Sequence, residues 1–193
     1  MLHPDYPIVT ERLLLRPLDP ATDVEAVYAY QSRPDVCRHI PYQPRTREQV
    51  TERLADPERT SSTIENEGDV ISLAVVVRET GELVGDVILF YRSAEHRAGE
   101  IGYVLNPNFH GNGYATEASR ALLGLAFGGL GLHRVIARID ARNDASAAVL
   151  RRLGMRQEAV LIENEWFKGE WTTEIDFAIL AHEWNAARVP GSR

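Results

Sequence analysis

The 193-residue sequence holds a single cysteine, Cys37, so no internal disulfide can form, and no cysteine–histidine spacing matches a zinc site. Long apolar runs are missing as well: none approaches the roughly 18–20 residues that a membrane span needs. The opening Met1-Leu2-His3-Pro4-Asp5 has neither the basic nor the apolar region of a secretory signal. These absences set the expectation of a cytoplasmic chain with no membrane, disulfide or metal. Positive charge is also short. Lys and Arg number 21 against 28 Asp and Glu, a net charge of −7, whereas nucleic-acid binding relies on basic stripes that displace counterions from phosphates. Nucleic acid is therefore not an expected partner; an amine-bearing substrate or a basic protein suits the charge better.

What is present is an ordinary globular composition, 44% hydrophobic and 25% charged, and a length sufficient for one well-filled core. Residues 1–187 read as one domain and residues 188–193 as a disordered tail. Ile8 to Leu18 reads as an opening strand, with Leu13 and Leu15 alternating against Arg12 and Arg16. A helical stretch follows from Asp23 to Tyr30, and a polar helix from Thr46 to Ala55, capped by Thr46 and stopped by Pro57. The β-branched run Val70–Arg78, the turn at Thr80-Gly81 and the return strand Leu83–Tyr91 predict a hairpin. A third strand spans Glu100–Leu105. Ala118, Leu122, Leu125 and Ala126 recur at helical spacing, closed by Gly128-Gly129. Arg134–Asp140 is a strand, Asn143 or Asp144 caps a short helix ending at Gly154, and the strands Glu158–Phe167 and Trp171–Leu180 meet at Lys168-Gly169. Hairpins before one strand–helix–strand crossover predict an α/β (α+β) chain with a mixed, mostly antiparallel sheet and flanking helices.

The segment Phe109-His110-Gly111-Asn112-Gly113-Tyr114-Ala115 follows a strand and opens a helix, the context in which a glycine-rich turn holds a phosphate. Gly111 and Gly113 permit positive φ, and the N–H groups of Tyr114, Ala115 and Thr116, with the Thr116 hydroxyl, face outward from the helix start. A nucleotidase loop would need Gly-Lys-Ser/Thr where Tyr114-Ala115 stands. A dinucleotide fold would need a third glycine and an early βαβ unit, although Asp140 imitates its ribose-binding acid. The pyrophosphate of coenzyme A and a tight turn with no ligand both remain open on spacing alone.

The surroundings are more specific. The run Gly99-Glu100-Ile101-Gly102-Tyr103-Val104-Leu105-Asn106-Pro107 with His110 to Ala118, the later block of Gly131 to Arg134, Asn143 to Ser146 and Leu150 to Met155, and the opening Thr10 to Arg16 resemble the Gcn5-related N-acetyltransferases. The likeness is greatest to their branch of ribosomal-protein N-terminal acetyltransferases, and it spans nearly the whole chain. It implies transfer of acetyl from acetyl-CoA (coenzyme A) to a primary amine, with a protein α-amine or a small molecule as acceptor, and leaves a homodimer open. By this resemblance the backbone of Tyr103, Val104 and Leu105 pairs with the pantetheine arm like an added strand. His110, Gly111, Asn112, Gly113, Tyr114 and Ala115 wrap the pyrophosphate, and Asn143 bonds the pantetheine. The family usually has Gln or Arg where His110 stands. An imidazole lacks guanidinium's fixed charge, so cofactor affinity is expected to vary with pH.

Acetyl transfer needs a neutral amine, a polarised carbonyl, a proton route and an acid for the leaving thiolate. Glu100, opening its strand beside the expected thioester, is the candidate base, against the plainer reading of a solvated strand-end charge. Backbone N–H groups of Tyr103 to Leu105 suit the thioester oxygen. Many relatives use a helical tyrosine for the leaving group; Leu150 stands there in this chain, and Ser146 is the polar substitute. A chain that binds acyl-CoA without turnover is the alternative. His133 and His39 read as structural or surface residues, Trp166, Phe167 and Trp171 as core or dimer packing. Glu163 and Glu165 face either a cationic substrate or solvent, and Tyr28, Tyr30 and Tyr42 are candidates for the acceptor site.

Overall fold

The computed structural model describes residues 1–188; the expected tail lies, apart from Arg188, outside the described residues. The opening segment is two strands, β1 (Ile8–Val9) and β2 (Leu13–Pro17), paired antiparallel with Ile8 opposite Leu15. The single strand expected there is broken because Thr10 turns the chain: its N–H donates to the Leu13 carbonyl at 2.9 Å, and its hydroxyl accepts from the Leu13 N–H at 3.0 Å. A threonine hydroxyl that satisfies the backbone locally competes with continued strand.

Helix α1 (Val24–Gln31) buries Val27 and Tyr30. A short α2 (Pro34–Cys37), not evident from periodicity, begins on a proline, whose fixed φ suits a first helical turn. Helix α3 (Arg47–Ala55) starts at Thr46, whose side chain and that of Gln49 satisfy each other's backbone N–H groups, a complete capping box. Strands β3 (Val70–Val77), β4 (Leu83–Ser93) and β5 (Ala98–Leu105) then meander. After the glycine loop, α4 (Tyr114–Gly124) runs into a π-helical turn over Leu125–Gly129. Strand β6 (Arg134–Asp140), helix α5 (Asp144–Arg152), strands β7 (Arg156–Phe167) and β8 (Glu170–Leu180), and a helix not foreseen, α6 (Ala181–Arg188), complete the described chain.

Among the described residues the eight strands form one sheet in the order β1-β2-β3-β4-β5-β6-β8-β7. Every pair is antiparallel except β5 with β6, the pair joined through the α4 crossover. Apart from the exposed edge strand β7, the sheet is covered on both faces. One face packs Ile101, Leu105, Val135 and Phe177 against Leu122, Leu123, Ala147 and Leu150 of α4 and α5. The other packs Ala74, Val76 and Leu83 against Val27, Tyr30, Val50 and Leu54 of α1 and α3. Full burial of each such aliphatic side chain contributes about 1.5–3 kcal/mol, and seven of the eight β3 residues are buried, which explains a continuous apolar run in place of alternation.

One irregularity positions the site. Strand β5 pairs with β6 only at Ala98, Gly99 and Glu100, opposite Arg134, Val135 and Ile136. Beyond Glu100 it stays paired to β4 as far as Leu105, so its other edge opens into a wedge.

Candidate active site

The wedge and the glycine loop are consecutive in the chain. Asn106 breaks β5 by accepting the Asn108 N–H on its own side chain at 3.1 Å, and a 3-10 turn at Pro107–Phe109 carries the chain to the loop. Gly111 and Gly113 have φ of 83° and 79°, the left-handed region where a β-carbon is strained. Gly113 is the N-cap of α4. The first helical bond runs from the Glu117 N–H to the Gly113 carbonyl at 3.1 Å, so the amides of Tyr114, Ala115 and Thr116 stand ahead of it. The Thr116 hydroxyl is buried with no hydrogen-bond partner among the described residues. An orphaned donor beside outward amides at a helix N-terminus fits an oxyanion such as a pyrophosphate.

The loop is braced from the N-terminal hairpin. Arg12 donates Nε to Glu117 Oε2 at 2.7 Å and Nη1 to the Asn112 carbonyl at 2.8 Å, and its guanidinium lies 5.1 Å from the Tyr114 ring centre. Thr10 donates its hydroxyl to Glu117 Oε1 at 2.7 Å. Burial pulls the Glu117 carboxyl upward, but the hydrogen bonds from Thr10 and Arg12 outweigh it and hold the group below its ordinary range. His110 turns back: its Nε2 is 3.2 Å from the Leu105 carbonyl. Asn112 spends its amide on the carbonyls of Phe109, at 3.0 Å, and His110, at 3.5 Å.

On the far side of the wedge, Asn143 caps α5 by accepting the Ser146 N–H at 3.0 Å. Tyr103, three residues past the point where β5 leaves β6, places its phenol oxygen 2.7 Å from Ser146 Oγ. Burial pushes that phenol up to about 12. Val104 turns to the opposite sheet face, against the α1 and α3 cluster. Leu150 is fully buried in the core.

Glu100 stands where the strands part, two residues inside β5 and not at its start, and opposite in parity to Tyr103. It accepts Arg92 Nε at 2.9 Å and lies 3.5 Å from Arg138 Nη2. It is thus no solvated strand end, its side chain being 14% exposed. It lines a cavity of about 220 Å³ together with His39, Arg138, Glu165, Phe167 and Glu174. A larger cavity of about 420 Å³ is lined only by residues between Tyr42 and Arg59 and touches neither wedge nor loop. The smaller one is therefore the candidate for chemistry. Burial, then the carboxylates of Glu165 and Asp176, raise the Glu174 carboxyl above its usual range. Asp176 Oδ1 is buried without a hydrogen-bond partner among the described residues. Asp140 is held low by Arg142, and the ring of His39 lies 3.7 Å from it.

Several expectations need correction. His39 belongs to the cavity, with Nδ1 buried and unbonded, whereas His133 is exposed as expected. Tyr30 cannot meet an acceptor: it is fully buried, with its phenol on Asp86. Tyr42 lines the larger cavity, and Tyr28 packs against the α1 and α3 cluster. Trp166 and Trp171 are not core residues, being 63% and 56% exposed in an edge-on pair 5.4 Å apart. Glu165 lines the cavity while Glu163, at a bulge with φ of 49°, is exposed. The roles of Arg12 and Arg138 were hidden because their partners Glu117 and Glu100 lie far away in sequence, and Arg92 meets Glu100 across the β4–β5 hairpin.

Comparisons with known proteins bear on the family and the fold. A family model described as an acetyltransferase (GNAT) domain matches residues 12–156. An uncharacterized N-acetyltransferase of Bacillus subtilis, YnaD, is 35% identical over 92% of this chain and 99% of its own length. A spermidine N(1)-acetyltransferase of Escherichia coli is 28% identical over 60% of this chain and 63% of that protein. The crystal structure of a GNAT-family acetyltransferase from Bacillus anthracis superimposes with a TM-score of 0.79 and 33% identity, covering 91% of this chain and 98% of that one.

Proposed function

Because this chain belongs to the GNAT acetyltransferase family, we propose that it transfers the acetyl group of acetyl-CoA to a primary amine carried by a cationic acceptor. The observation that carries this reading is the wedge, opened beyond Glu100 and closed at its far end by the left-handed glycine loop. Acetyl-CoA supplies an activated acyl group. The amides of Tyr114 to Thr116 and the Thr116 hydroxyl hold the pyrophosphate, while the open edge of Tyr103 to Leu105 aligns the pantetheine as an added strand. Asn143 bonds the same arm with its free amide N–H groups, its oxygen being engaged by Ser146. The Leu105 carbonyl is engaged by His110, and the N–H groups of Tyr103 and Leu105, which alternate away from β4, are the donors toward the thioester oxygen.

Glu100 and Ser146 act from opposite faces of the wedge. Glu100 receives the amine's proton through a water, its Oε2 being held by Arg92 and Arg138. Ser146 bonds the sulfur as charge develops there. An α-amine with a pKa of about 8 loses its proton far more readily than a lysine amine near 10.4. The resemblance to the ribosomal-protein branch favours a protein α-amine. The crowded carboxylates of Glu165, Glu174 and Asp176 favour an acceptor that keeps a second positive charge while its reacting amine is neutral.

Free-thiol release from acetyl-CoA across a panel of amines tests the reading. The panel holds a monoamine, diamines and polyamines, and peptides with basic or acidic second residues. Turnover highest for acceptors with two or more positive charges is expected. Tight coenzyme A binding with no turnover of any amine would establish the alternative, a catalytically idle acyl-CoA-binding domain.

A further inference from the structure

We propose that Tyr103 is a positioning residue for thioester cleavage, donating its phenol proton to Ser146 Oγ so that the serine proton is left free for the departing sulfur. The inference rests on the acetyl-transfer reading above. It starts from a side chain that the sequence offered only as backbone. Tyr103 lies on the open stretch of β5, packs its ring against the core shared with α4 and α5, and reaches across the wedge to the first turn of α5. Its oxygen is 2.7 Å from Ser146 Oγ and 3.1 Å from the Ser146 carbonyl.

One phenol proton cannot serve both acceptors fully. If it goes to the carbonyl, the serine hydroxyl must donate back to the phenol oxygen, and Ser146 has nothing left for sulfur. If it goes to Oγ, the serine hydrogen is free to point into the wedge. The shorter contact is the hydroxyl–hydroxyl one, and a phenol is the stronger acid of the two, hence the better donor. The Ser146 backbone is fixed from below by Asn143, so the hydroxyl's remaining freedom is rotation about its own side chain. Tyr103 removes that freedom.

The balance of the step is simple. A C–N bond forms and the C–S bond breaks, with its electron pair going to sulfur. The amine loses one proton, through Glu100 and solvent, and the sulfur gains one from solvent. Ser146 and Tyr103 end the cycle as they began it, having held a chain of hydrogen bonds on the negative sulfur. Both hydroxyls remain protonated at neutral pH, Tyr103 because burial lifts its phenol to about 12.

Tyr103→Phe keeps the ring and removes only the hydroxyl, and it is compared with Ser146→Ala and the double variant. Loss of one hydrogen bond of ordinary strength lowers kcat about three- to tenfold, with acetyl-CoA affinity unchanged. The double variant is expected to be no slower than Ser146→Ala alone, because Tyr103 acts through Ser146. A second readout needs no turnover: the thiolate absorbance of coenzyme A bound to each protein, followed against pH. Its midpoint is expected to rise by about 0.5–1 unit in Tyr103→Phe. Wild-type kcat and an unmoved midpoint in Tyr103→Phe would overturn the proposal, as would losses that simply add in the double variant. If the wild type releases no thiol with any amine, the acetyl-transfer reading fails instead, and the thiolate titration still decides the role of Tyr103.

Discussion

The donor side and the acceptor side of the wedge are built from different materials. The donor side is backbone: two left-handed glycines, the amides of a helix start and an unpaired strand edge, braced by Arg12 and Thr10. The acceptor side is side chains, contributed by the α2–α3 loop, β5, β6, β7 and β8 around Glu100 and Glu174. Backbone geometry of the first kind recognises what every acetyl donor shares. Side-chain geometry of the second kind can change residue by residue without disturbing the sheet, so under the proposed function acceptor choice resides there.

The sharpest way to break this contrast is to spoil one side alone. Gly113→Val puts a β-branched residue at a φ of 79°, at a cost of about 1–3 kcal/mol or more, because the left-handed region is strained for such residues. The helix start moves with it. Acetyl-CoA affinity should fall about 30-fold or more, read by calorimetry, and the acceptor KM of whatever activity remains should stay put. A shift in acceptor preference would show that the two sides are not separable.

Arg12→Ala is the milder version of the same break. It removes the bonds to Glu117 Oε2 and the Asn112 carbonyl but leaves the glycines intact. Charge-assisted bonds at a side chain that is 46% exposed are discounted for solvent, leaving about 1 kcal/mol and a roughly fivefold loss of acetyl-CoA affinity. Lys at this position should recover little, because one ammonium cannot span both partners.

The two sides also differ in how much of them the sequence disclosed. The loop with its flanking strand and helix, and separately the cap at Asn143, are local features whose conformations follow from glycine, Asn and proline within a few positions. The capping box at Thr46 and Gln49 was legible in part, through Thr46 as the cap, for the same reason. The residues alone did not disclose the wedge, and only the resemblance implied a free edge at Tyr103 to Leu105: that β5 parts from β6 after Glu100 depends on a pairing between residues more than thirty apart. His39 illustrates the limit further. Nothing local distinguishes it from His133, yet a loop after α2 carries one into the cavity and leaves the other on the surface. Trp166 and Trp171 are exposed where the core reading would bury them, because the β7–β8 hairpin end leaves large apolar side chains uncovered without any local mark.

On the acceptor side, replacing Glu165 and Glu174 together by Gln should raise KM for a diamine about fivefold while leaving a monoamine and acetyl-CoA affinity unaffected, the loss shrinking at high salt. Equal effects on monoamine and diamine would mean that the carboxylates shape the cavity without reading charge.

The smallest effect is a difference of sign under acid. Glu117, on the donor side, is held below its ordinary range by Thr10 and Arg12. Its stabilisation is present above the unfolded glutamate value, about 4.3, and disappears as pH falls through the lower folded value. Glu174, on the acceptor side, is raised by burial and by neighbouring carboxylates. Its proton binds more tightly in the folded state, so that contribution is complete below about pH 4.3 and lost as pH rises through the higher folded value. Urea unfolding of Glu117→Gln and Glu174→Gln from pH 7 to pH 3 resolves the two. Relative to wild type, Glu117→Gln should be less stable at neutral pH, by about 1 kcal/mol, with the gap closing as acid is added. Glu174→Gln should be as stable as wild type or more so at neutral pH and should lose that advantage in acid. If both variants track the wild type in parallel, the carboxylates are not held as the two sides of the wedge require, and the division between a braced donor grip and an acceptor cavity short of positive charge fails.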